Sequence, residues 1–511
     1  MKKLISLVLL CALSLASLSC EAYGNGGVEL HAPGGGDDRP VAGDSGPDRE
    51  PLVPEVVIPA GQLAGEIIIM VRQWGVELLD NDMRRYASLF SELHPYVTFS
   101  FVGYDGSWGM AQSLALNTRL LADPPDILQF SPSGVNFEKM ALDTLFADFY
   151  DLFYGPRGID LGGYFCNIFR GSETQGGLYF LPFNFIPELV FPNTRLFDSI
   201  GVDASGITAI SIDEELDFFL RIARALPGEP LLPNTRFSVM DPVMRLRLYD
   251  IETGAVHVDA PQMRVRFEQV AEALLLSRHN DNAVMTPEGL MAYINPINHH
   301  MWANEVLTQR SDVMLWSSRD GDLATSVILL FEEHPNVQFS RPAFSTDADC
   351  GGKEYYAVTS YAIMRNARNP DLAWEFLRFM MEHEESMYER FVTTYIGAAW
   401  MPINRARFEN QVPDFLRDVH SDVMRFTDLP FHLGLAEDDE EGQAEHREHA
   451  VAAMMDFYRD VVGQLSVPTN RNHAVVSSLV YPDMWLLHTG QQDIAQTLAN
   501  IHSRLLFYIL E

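Results

Sequence analysis

The chain is poor in basic residues. Its 511 residues include 36 Lys and Arg but 70 Asp and Glu, which gives a formal net charge of −34 at pH 7. Nucleic acids bind proteins largely through Lys and Arg, which displace counterions from the phosphates, and anionic lipid surfaces attract basic segments in the same way. The composition therefore argues against both partners. We expect the densest acidic segment, residues 436–449, to be a solvated surface; it lacks the EF-hand spacing, and whether it also binds calcium stays open.

The sequence also lacks the common catalytic and metal-binding motifs. It contains no His-Glu-x-x-His, Gly-x-Ser-x-Gly, P-loop or Gly-x-Gly-x-x-Gly pattern. His299 and His300 are adjacent, so on a helix they would point about 100° apart and could not easily share one ion. Acid pairs are abundant, and counting them does not exclude a glycosidase, although nothing in the sequence places two of them together. We expect no metal, no cofactor and no catalytic residues.

The first 20 residues have the pattern of a secretory signal peptide. Lys2 and Lys3 precede an apolar run, residues 4–15, that is shorter than the about 20 residues of a membrane-spanning helix. The segment "SLSC" before residue 21 resembles the lipobox of bacterial lipoproteins, in which the cysteine is acylated. It departs from that motif because Ser17 and Leu18 stand where the family usually has leucine and a small residue. We expect a lipid anchor at Cys20; cleavage near residue 22 to give a freely secreted protein is the alternative.

Residues 21–64 are rich in Gly, Pro and Asp and have no apolar period, so we expect a flexible tether. Only four cysteines are present, and Cys11 leaves with the signal peptide. Cys166 and Cys350 could form one disulfide in an exported protein or remain two buried thiols, and their spacing carries no metal signature.

The segment after the tether has the order of a parallel sheet covered by helices. Residues 65–73, 97–104 and 126–130 read as strands, and two helical patterns separate them. Pro124 and Pro125 end the second helix and impose an extended entry into the third strand. In open sheets of this kind, ligands bind beyond the carboxyl ends of the strands, here Gln73–Trp74 and Phe130–Ser131. The same turn contains Asp126, which we expect to fix the backbone by accepting N–H bonds.

Further elements follow the same alternation. We expect strands within residues 176–185, 311–318 and 353–364, a capping box at Ser211–Glu214 that opens a helix, a helix that starts at Pro370, and a C-terminal helix after Gln491.

Five segments together carry a resemblance to a known family. They are "LLADPPDILQFS", "GGLYFLPFNFIPELVFPNTRLFDSIGVD", "SDVMLWSS", "AWEFLRFMMEHEE" and "GAAWMPINRARF". In this order, and behind a lipoprotein-like signal, they resemble the extracellular solute-binding proteins (family 1) of ABC importers, which include sugar- and oligosaccharide-binding lipoproteins. The chain departs from the family at Phe191–Pro192–Asn193, where Tyr-Asn is usual. The resemblance covers nearly everything from residue 65 to residue 511.

The resemblance implies an α/β chain with the two-lobed periplasmic-binding-protein fold of type II, in which crossing strands form a hinge. The first lobe would comprise residues 65–187 plus 361–410, and the second lobe residues 188–360 plus 411–511. The handoffs would fall near Phe185–Leu189, Tyr356–Tyr361 and Gln411–Pro413. A solute that touches both lobes would stabilise the closed form by its differential affinity for that form.

Candidate ligand contacts combine aromatic rings that can stack on a sugar with polar groups that can bind hydroxyls. They are Trp74, Phe130, Ser131, Asn184, Trp316, Tyr355, Trp400 and Trp485. Glu354, which borders a predicted crossing beside Tyr355, is a further polar group at this place. Trp302 and Trp374 lie in helical patterns and are expected in the core.

The expected function is that of a monomeric receptor in the cell envelope, either lipid-anchored at the outer face of the cytoplasmic membrane or periplasmic. It would pass a small solute, for which carbohydrate is the first choice, to ABC permease subunits. Two alternatives remain: an exported polysaccharide-active enzyme, which would require a carboxylate pair on one wall of its cleft, and a ligand sensor that docks a membrane kinase.

Overall fold

A computed structural model describes part of the chain, and every described residue lies within one compact unit, Ile58–Glu511. The described residues are 61–74, 77–78, 81–105, 110–130, 137–192, 197–198, 200–203, 209–227, 243, 246–276, 315–317, 343–346, 352–383, 401–426, 439–468, 473–488 and 490–510. The predicted signal peptide, Cys20 and most of the predicted tether lie outside them.

Strands and helices alternate along this part of the chain. The strands are β1 Ala64–Trp74, β2 Glu77–Leu78, β3 Tyr96–Asp105, β4 Ile127–Phe130, β5 Leu181–Pro182, β6 Asn184–Pro187, β7 Leu189–Pro192, β8 Ala209–Ser211, β9 Tyr249–Asp250, β10 Ala255–Val256, β11 Leu315–Ser317, β12 Ala343–Thr346, β13 Lys353–Ala357, β14 Ser360–Ile363, β15 Met401–Pro402 and β16 Leu465–Pro468. The helices are α1 Asn81–Leu93, α2 Met110–Ala122, α3 Phe137–Leu142, α4 Phe149–Phe153, α5 Cys166–Gly171, α6 Ile212–Ala225, α7 Pro261–Leu276, α8 Pro370–Glu382, α9 Arg405–Phe426, α10 Glu440–Gln464, α11 His473–Leu479, α12 Tyr481–His488 and α13 Ile494–Leu510.

The first sheet has the predicted parallel arrangement around β1. Its order is β2-β1-β4-β14-β5, and β3 also pairs with β1. Strand β1 is parallel to both β3 and β4, as the β-α-β-α-β pattern of the sequence predicts. Ile67, Ile69 and Val71 are buried on one face of β1, and Met70 is buried on the other. Burial on both faces explains why this strand reads as a continuous apolar run.

Asp126 holds the turn that leads into β4. Its side chain is 1% exposed, and its two carboxylate oxygens accept hydrogen bonds from the backbone N–H groups of Ile68 (2.8 Å) and Asn369 (3.0 Å). Its own backbone donates to the carbonyl of Ile68 (2.8 Å) and accepts from the N–H of Met364 (3.1 Å). The predicted role of Asp126 is confirmed: its side chain joins β1 to the start of α8, and its backbone bonds the residue that follows β14.

A second sheet begins after β5. Its order is β11-β7-β12-β13-β6-β15, with β16 paired to β13 and β8 paired to β12. The chain passes from the first sheet to the second at Phe183 and returns at Val358–Thr359. The N–H of Phe183 bonds the carbonyl of Thr359 (2.9 Å), and the N–H of Val358 bonds the carbonyl of Asn184 (3.0 Å), so the two crossing segments are held side by side.

The structure differs from the sequence interpretation in two details. Residues 353–364 are two strands of different sheets, β13 and β14, whereas the alternating pattern predicts one. Residues 411–413 lie inside the continuous helix α9, which contains Pro413. The division into two lobes at the stated boundaries stays a prediction.

Three apolar clusters support the sheets. The first lies between one face of the first sheet, the crossing strands and helices α1, α8, α9 and α10, and the third covers the other face of the first sheet with α2 and α3. The second cluster joins α6, α7, α11, α12 and α13. Ser211 and Glu214 form the predicted capping box of α6, and Trp374 is buried in the first cluster as predicted, with its indole N–H bonded to the carbonyl of Arg157 (2.9 Å).

The segment "PIN" of the family-like loop joins two helix ends. Asn404 donates to the carbonyl of Met381 (3.1 Å) in the last turn of α8 and accepts from the backbone N–H of Arg407 (3.1 Å) in the first turn of α9. The buried guanidinium of Arg407 donates to the carbonyls of Met380 (2.6 Å) and His383. Carbonyls at the end of a helix have no partner within the helix, so this loop satisfies those of α8.

A pair of histidines joins α9 to α10. The Nε2 atom of buried His420 lies 2.9 Å from Nδ1 of His446, and such a bond requires one ring to donate and the other to accept. Burial, together with the nearby His446 and Arg447, lowers the pKa of His420 to about 3. The folded state therefore binds fewer protons than the unfolded state between pH 6.5 and pH 3.

The substitution Asp126→Asn is expected to lower the free energy of unfolding by about 1–3 kcal/mol, because an amide –NH₂ would then face a buried backbone N–H. Urea unfolding measures the loss. Asp123→Asn, at an exposed carboxylate three residues earlier, is the matched control and should change stability by less than about 0.5 kcal/mol. Equal effects of the two substitutions would contradict the role given to Asp126.

Acidification should destabilise the protein through His420. Because the folded-state pKa is depressed, stability is present above the ordinary pKa of 6.5 and is lost as the pH falls below it. Between pH 7 and pH 5 this group should cost about 2 kcal/mol. Urea unfolding at both pH values should show a smaller loss for His420→Gln than for His449→Gln, which alters an exposed histidine of α10. An identical pH dependence in the two variants would refute this assignment.

Candidate functional site

One edge of the first sheet collects the ends of several strands. Strands β1, β3 and β4 run in the same direction, so Trp74, Asp105 and Phe130 end them on the same side. Strand β14 begins at this edge, where Ser360 pairs with Phe130, and β5 ends there, where Pro182 pairs with Ser360. The carboxyl edge of the parallel strands therefore coincides with the place where the chain crosses between sheets.

The crossing strands of the second sheet have one apolar face and one polar face. Strand pairing sets Tyr355 opposite Pro187 and Ala357 opposite Phe185, and these residues face the first apolar cluster. Side chains alternate along a strand, so the intervening residues lie on the opposite face. They are Asn184, Ile186, Glu188, Glu354 and Tyr356, which we call the polar crossing face.

Buried acidic and amide groups dominate the polar crossing face. Asn184, Glu188 and Glu354 are 7%, 4% and 2% exposed, and the N–H of Glu188 bonds the carbonyl of Glu354 (3.0 Å). That bond makes the two glutamates cross-strand neighbours, with Cα atoms about 5.5 Å apart in an ordinary antiparallel pair. Carboxylates and amides are the groups with which proteins bind hydroxyl-rich molecules, since each supplies acceptors or donors at a fixed place.

Two polar atoms at the edge of the first sheet have no hydrogen-bond partner among the described residues. They are Oγ of Ser360, whose side chain is fully buried, and Oε1 of Gln129. The two residues belong to adjacent strands at the crossing. A buried polar atom without a partner costs free energy, which a water molecule or a bound hydroxyl could recover.

Two of the residues predicted to bind ligand lie in the core instead. Phe130 is 2% exposed, and its ring stacks on Phe137 with centroids 5.2 Å apart. Tyr355 is fully buried; its hydroxyl donates to the carbonyl of Ile168 (2.9 Å) and lies 2.8 Å from Oγ of Ser172. In this conformation neither ring can contact a solute, because each points into an apolar cluster.

Asn184 lies on the polar crossing face at the start of β6, so the structure keeps it near the predicted position. Trp485, on α12, is 36% exposed. Trp74 is the last residue of β1. Trp316 is the central residue of β11, where its backbone lies opposite Phe191. Ser131 and Trp400 lie outside the described residues. The ligand-binding roles of these residues stay predictions.

Glu188, Tyr356 and Ser360 are site candidates that the sequence does not suggest. Residues 184, 186 and 188 alternate with the apolar residues of the same strand, so strand periodicity could have placed Glu188 beside Asn184. Tyr356, and the closeness of Glu354 to Glu188, follow only from the pairing of β13 with β6, which no local pattern reveals.

The structure also bears on the metal, membrane, cysteine and acidic-segment hypotheses. Within the ranges described above, no three His, Cys, Asp or Glu side chains are placed to hold a metal ion, and no helix is both long and apolar enough to cross a membrane. Cys166 is a free thiol that donates to the carbonyl of Leu161 (3.1 Å), while Cys350 and His299–His300 lie outside these ranges. In the acidic segment, Asp439 accepts from the backbone N–H of Gly442 (2.9 Å) and caps α10.

Comparison with known proteins identifies the fold. No protein-family model and no curated protein sequence matches the chain. Its structure is similar to that of the sugar-binding protein MalE from the phytopathogen Xanthomonas citri, with a TM-score of 0.52 and 11% sequence identity over 87% of this chain and 98% of that one. The chain has the fold of a two-lobed periplasmic binding protein. A protein from Synechococcus sp. MITs9220, assigned as an oligosaccharide periplasmic-binding protein, gives a TM-score of 0.51 at 14% identity over 87% and 99% of the two chains. The fold class predicted from the resemblance is confirmed.

Replacing Tyr355 by phenylalanine distinguishes a core residue from a ligand contact. Loss of the buried hydroxyl, which leaves the carbonyl of Ile168 and Oγ of Ser172 each with one partner fewer, should lower the free energy of unfolding by about 1–2 kcal/mol. Chemical unfolding measures this loss, and Tyr154→Phe, at an exposed hydroxyl, is the control. A Tyr355→Phe variant that is as stable as the parent protein but binds the solute more weakly would show that Tyr355 contacts the solute.

Proposed function

We propose that the chain is a receptor of the cell envelope that captures a small solute, most simply a carbohydrate or oligosaccharide, and delivers it to an ABC importer. The observation that carries the proposal is the position of the polar crossing face. Asn184, Glu188 and Glu354 are buried polar residues, and they lie where the chain passes between the two sheets. A solute held there would contact both halves of the fold.

Carbohydrate is the first choice for two reasons. The protein from Xanthomonas citri is named as a sugar-binding protein, and the one from Synechococcus sp. MITs9220 is assigned to oligosaccharides. Independently, amide and carboxylate groups on the polar crossing face suit hydroxyls, and Trp74, Trp316, Trp400 and Trp485 remain candidates for stacking on sugar rings. The solute would be released chemically unchanged.

Closure about the crossing segments is part of this proposal. The chain crosses at Phe183 and at Val358–Thr359, and hydrogen bonds hold the two crossings together, which lets two halves rotate without shearing apart. A solute that shifts the population from 1:99 to 99:1 in favour of the closed form must prefer that form by about 5.5 kcal/mol. We also propose that the signal peptide directs export and that acylation of Cys20 anchors the receptor beside its permease.

An exported polysaccharide-active enzyme is the second candidate, because Glu188 and Glu354 form a cross-strand carboxylate pair. Retaining glycosidases use two carboxyl groups about 5–5.5 Å apart. These two side chains are almost completely buried, so a substrate or a solute alike could reach them only after the fold opens. The receptor is the first candidate because the two solved structures that the chain resembles are those of binding proteins.

A thermal-shift screen tests the receptor directly. The purified protein is heated with mono- and oligosaccharides, amino acids, polyamines and metal ions, each at high excess. A solute at 100 times its Kd should add about 2.7 kcal/mol of stability. A sugar that raises the melting temperature and is recovered intact by mass spectrometry supports the proposal, whereas cleavage of the sugar would establish the enzyme.

The site assignment is then tested with the sugar that the thermal-shift screen identifies. Asn184→Ala is expected to weaken binding at least tenfold, because it removes a buried hydrogen-bonding group. Tyr355→Phe should leave the affinity unchanged. Calorimetric titration measures both, and normal affinity in Asn184→Ala would move the site away from the polar crossing face.

A further inference from the structure

Tyr356 differs from the rest of the polar crossing face in its exposure. The other four members are at most 9% exposed; they are Asn184, Ile186, Glu188 and Glu354. The side chain of Tyr356 is only half-buried. In the described conformation it is therefore the member of this face that a molecule in solution can touch.

Strand pairing places Tyr356 at the centre of the face. It lies opposite Ile186. Asn184 and Glu188 flank Ile186 two positions away along the chain, and Glu354 precedes Tyr356 by two positions. Diagonal neighbours on paired strands are about 7–8 Å apart, and residues two positions apart in one strand are about 7 Å apart. All three polar side chains are therefore close enough to reach a group that lies on the tyrosine ring.

An aromatic ring surrounded by amide and carboxylate groups matches the two kinds of surface that a sugar presents. A pyranose carries C–H groups on the faces of its ring and hydroxyls around its edge. The C–H groups are apolar and pack on the electron-rich face of an aromatic ring. The hydroxyls donate hydrogen bonds to carboxylate oxygens and can both donate to and accept from an amide.

The strand geometry holds the ring in place before any solute binds. Tyr356 lies between Tyr355 and Ala357, which are fully buried in the first apolar cluster, so a twist of the strand at this point would expose both to water. On the polar side, an aromatic residue opposite a β-branched one such as Ile186 is a favourable cross-strand pair. A ring that is already fixed loses little conformational freedom on binding, which favours affinity.

We propose that Tyr356 is the stacking platform for one pyranose unit of a neutral saccharide, with the hydroxyls of that unit directed to Asn184, Glu188 and Glu354. The inference rests on the proposed receptor function and identifies the residue on which the sugar lies. Stacking on the ring requires no opening of the fold, whereas the bonds to the two buried glutamates do. The tyrosine contact predicted at Tyr355 thus moves by one position, because alternation along β13 turns Tyr355 into the core.

Two substitutions separate the ring from its hydroxyl group. Calorimetric titration with maltotriose, cellotriose and xylotriose measures the affinity of each protein. Tyr356→Leu keeps an apolar side chain but removes the flat ring, and it should weaken the binding of any trisaccharide that the parent protein binds at least tenfold. Tyr356→Phe keeps the ring and should retain the affinity within about threefold. Tyr154→Leu makes the same change at an exposed tyrosine outside the polar crossing face and should leave the affinity unchanged.

Nitration by tetranitromethane tests the ring in the unaltered protein, so it decides even if Tyr356→Leu fails to fold. In the empty protein, Tyr356 and the exposed Tyr154 should be nitrated, and the fully buried Tyr355 should not. Peptide mass spectrometry distinguishes the adjacent tyrosines. A bound trisaccharide should protect Tyr356 and leave the nitration of Tyr154 unchanged, which a purely structural role of Tyr356 would not produce.

The outcomes separate the platform from the receptor. Full affinity in Tyr356→Leu, an equal loss of affinity in Tyr356→Phe and Tyr356→Leu, or a Tyr356 that stays reactive beside a bound trisaccharide would overturn the platform and leave the receptor standing. An unreactive Tyr356 in the empty protein would overturn it as well. If no saccharide binds the parent protein in the thermal-shift screen or in the titrations, the assignment to neutral saccharides falls, and the platform falls with it.

Discussion

The two carboxylate oxygens of Asp126 hold a register on which the rest of the described fold depends. One oxygen accepts a hydrogen bond from the N–H of Ile68 in β1, and the other accepts one from the N–H of Asn369 before α8. Because the residue is buried, these bonds replace water and cannot be exchanged for solvent without cost. They fix the position of β4 along β1. Strand β14 in turn pairs with β4, and Ser360 lies opposite Phe130 in that pairing. A slip of one residue would turn every side chain of β4 to the opposite face.

From that register follows the division of the crossing strands into two faces. The strands on both sides of Phe183 keep their alternation, so one face joins the first apolar cluster and the other carries Asn184, Glu188 and Glu354. Desolvation of these groups costs free energy, and stability alone would favour apolar residues there. Their presence at the passage between two sheets is the physical basis for assigning a binding role to this face. Fold by itself does not determine function, and the argument rests on the chemistry of these residues.

Sequence reasoning succeeds where one local signal decides the structure. The β-branched run of β1 records burial on both faces, and Pro124 with Pro125 ends α2 before the strand that Asp126 anchors. It fails where side-chain direction depends on a partner distant in the chain. Phe130 ends β4 and Tyr355 lies in the middle of β13, but the pairing with Ser360 and Pro187 turns both side chains into apolar clusters. The closeness of Glu354 to Glu188 escaped prediction for the same reason, since it arises only through the pairing of β13 with β6.

If the polar crossing face binds a solute as proposed, the charge of the molecule narrows the chemistry of that solute. The net charge of −34 creates a negative potential around the protein, which disfavours the approach of anions. Glu188 and Glu354 add carboxylates at the face itself, and an anionic solute would be buried beside them at a large electrostatic cost. A neutral, hydroxyl-rich solute pays no such cost and can donate hydrogen bonds to carboxylate oxygens, which are strong acceptors. Phosphorylated or carboxylated sugars are therefore the poorest candidates among the carbohydrates, and neutral oligosaccharides are the best.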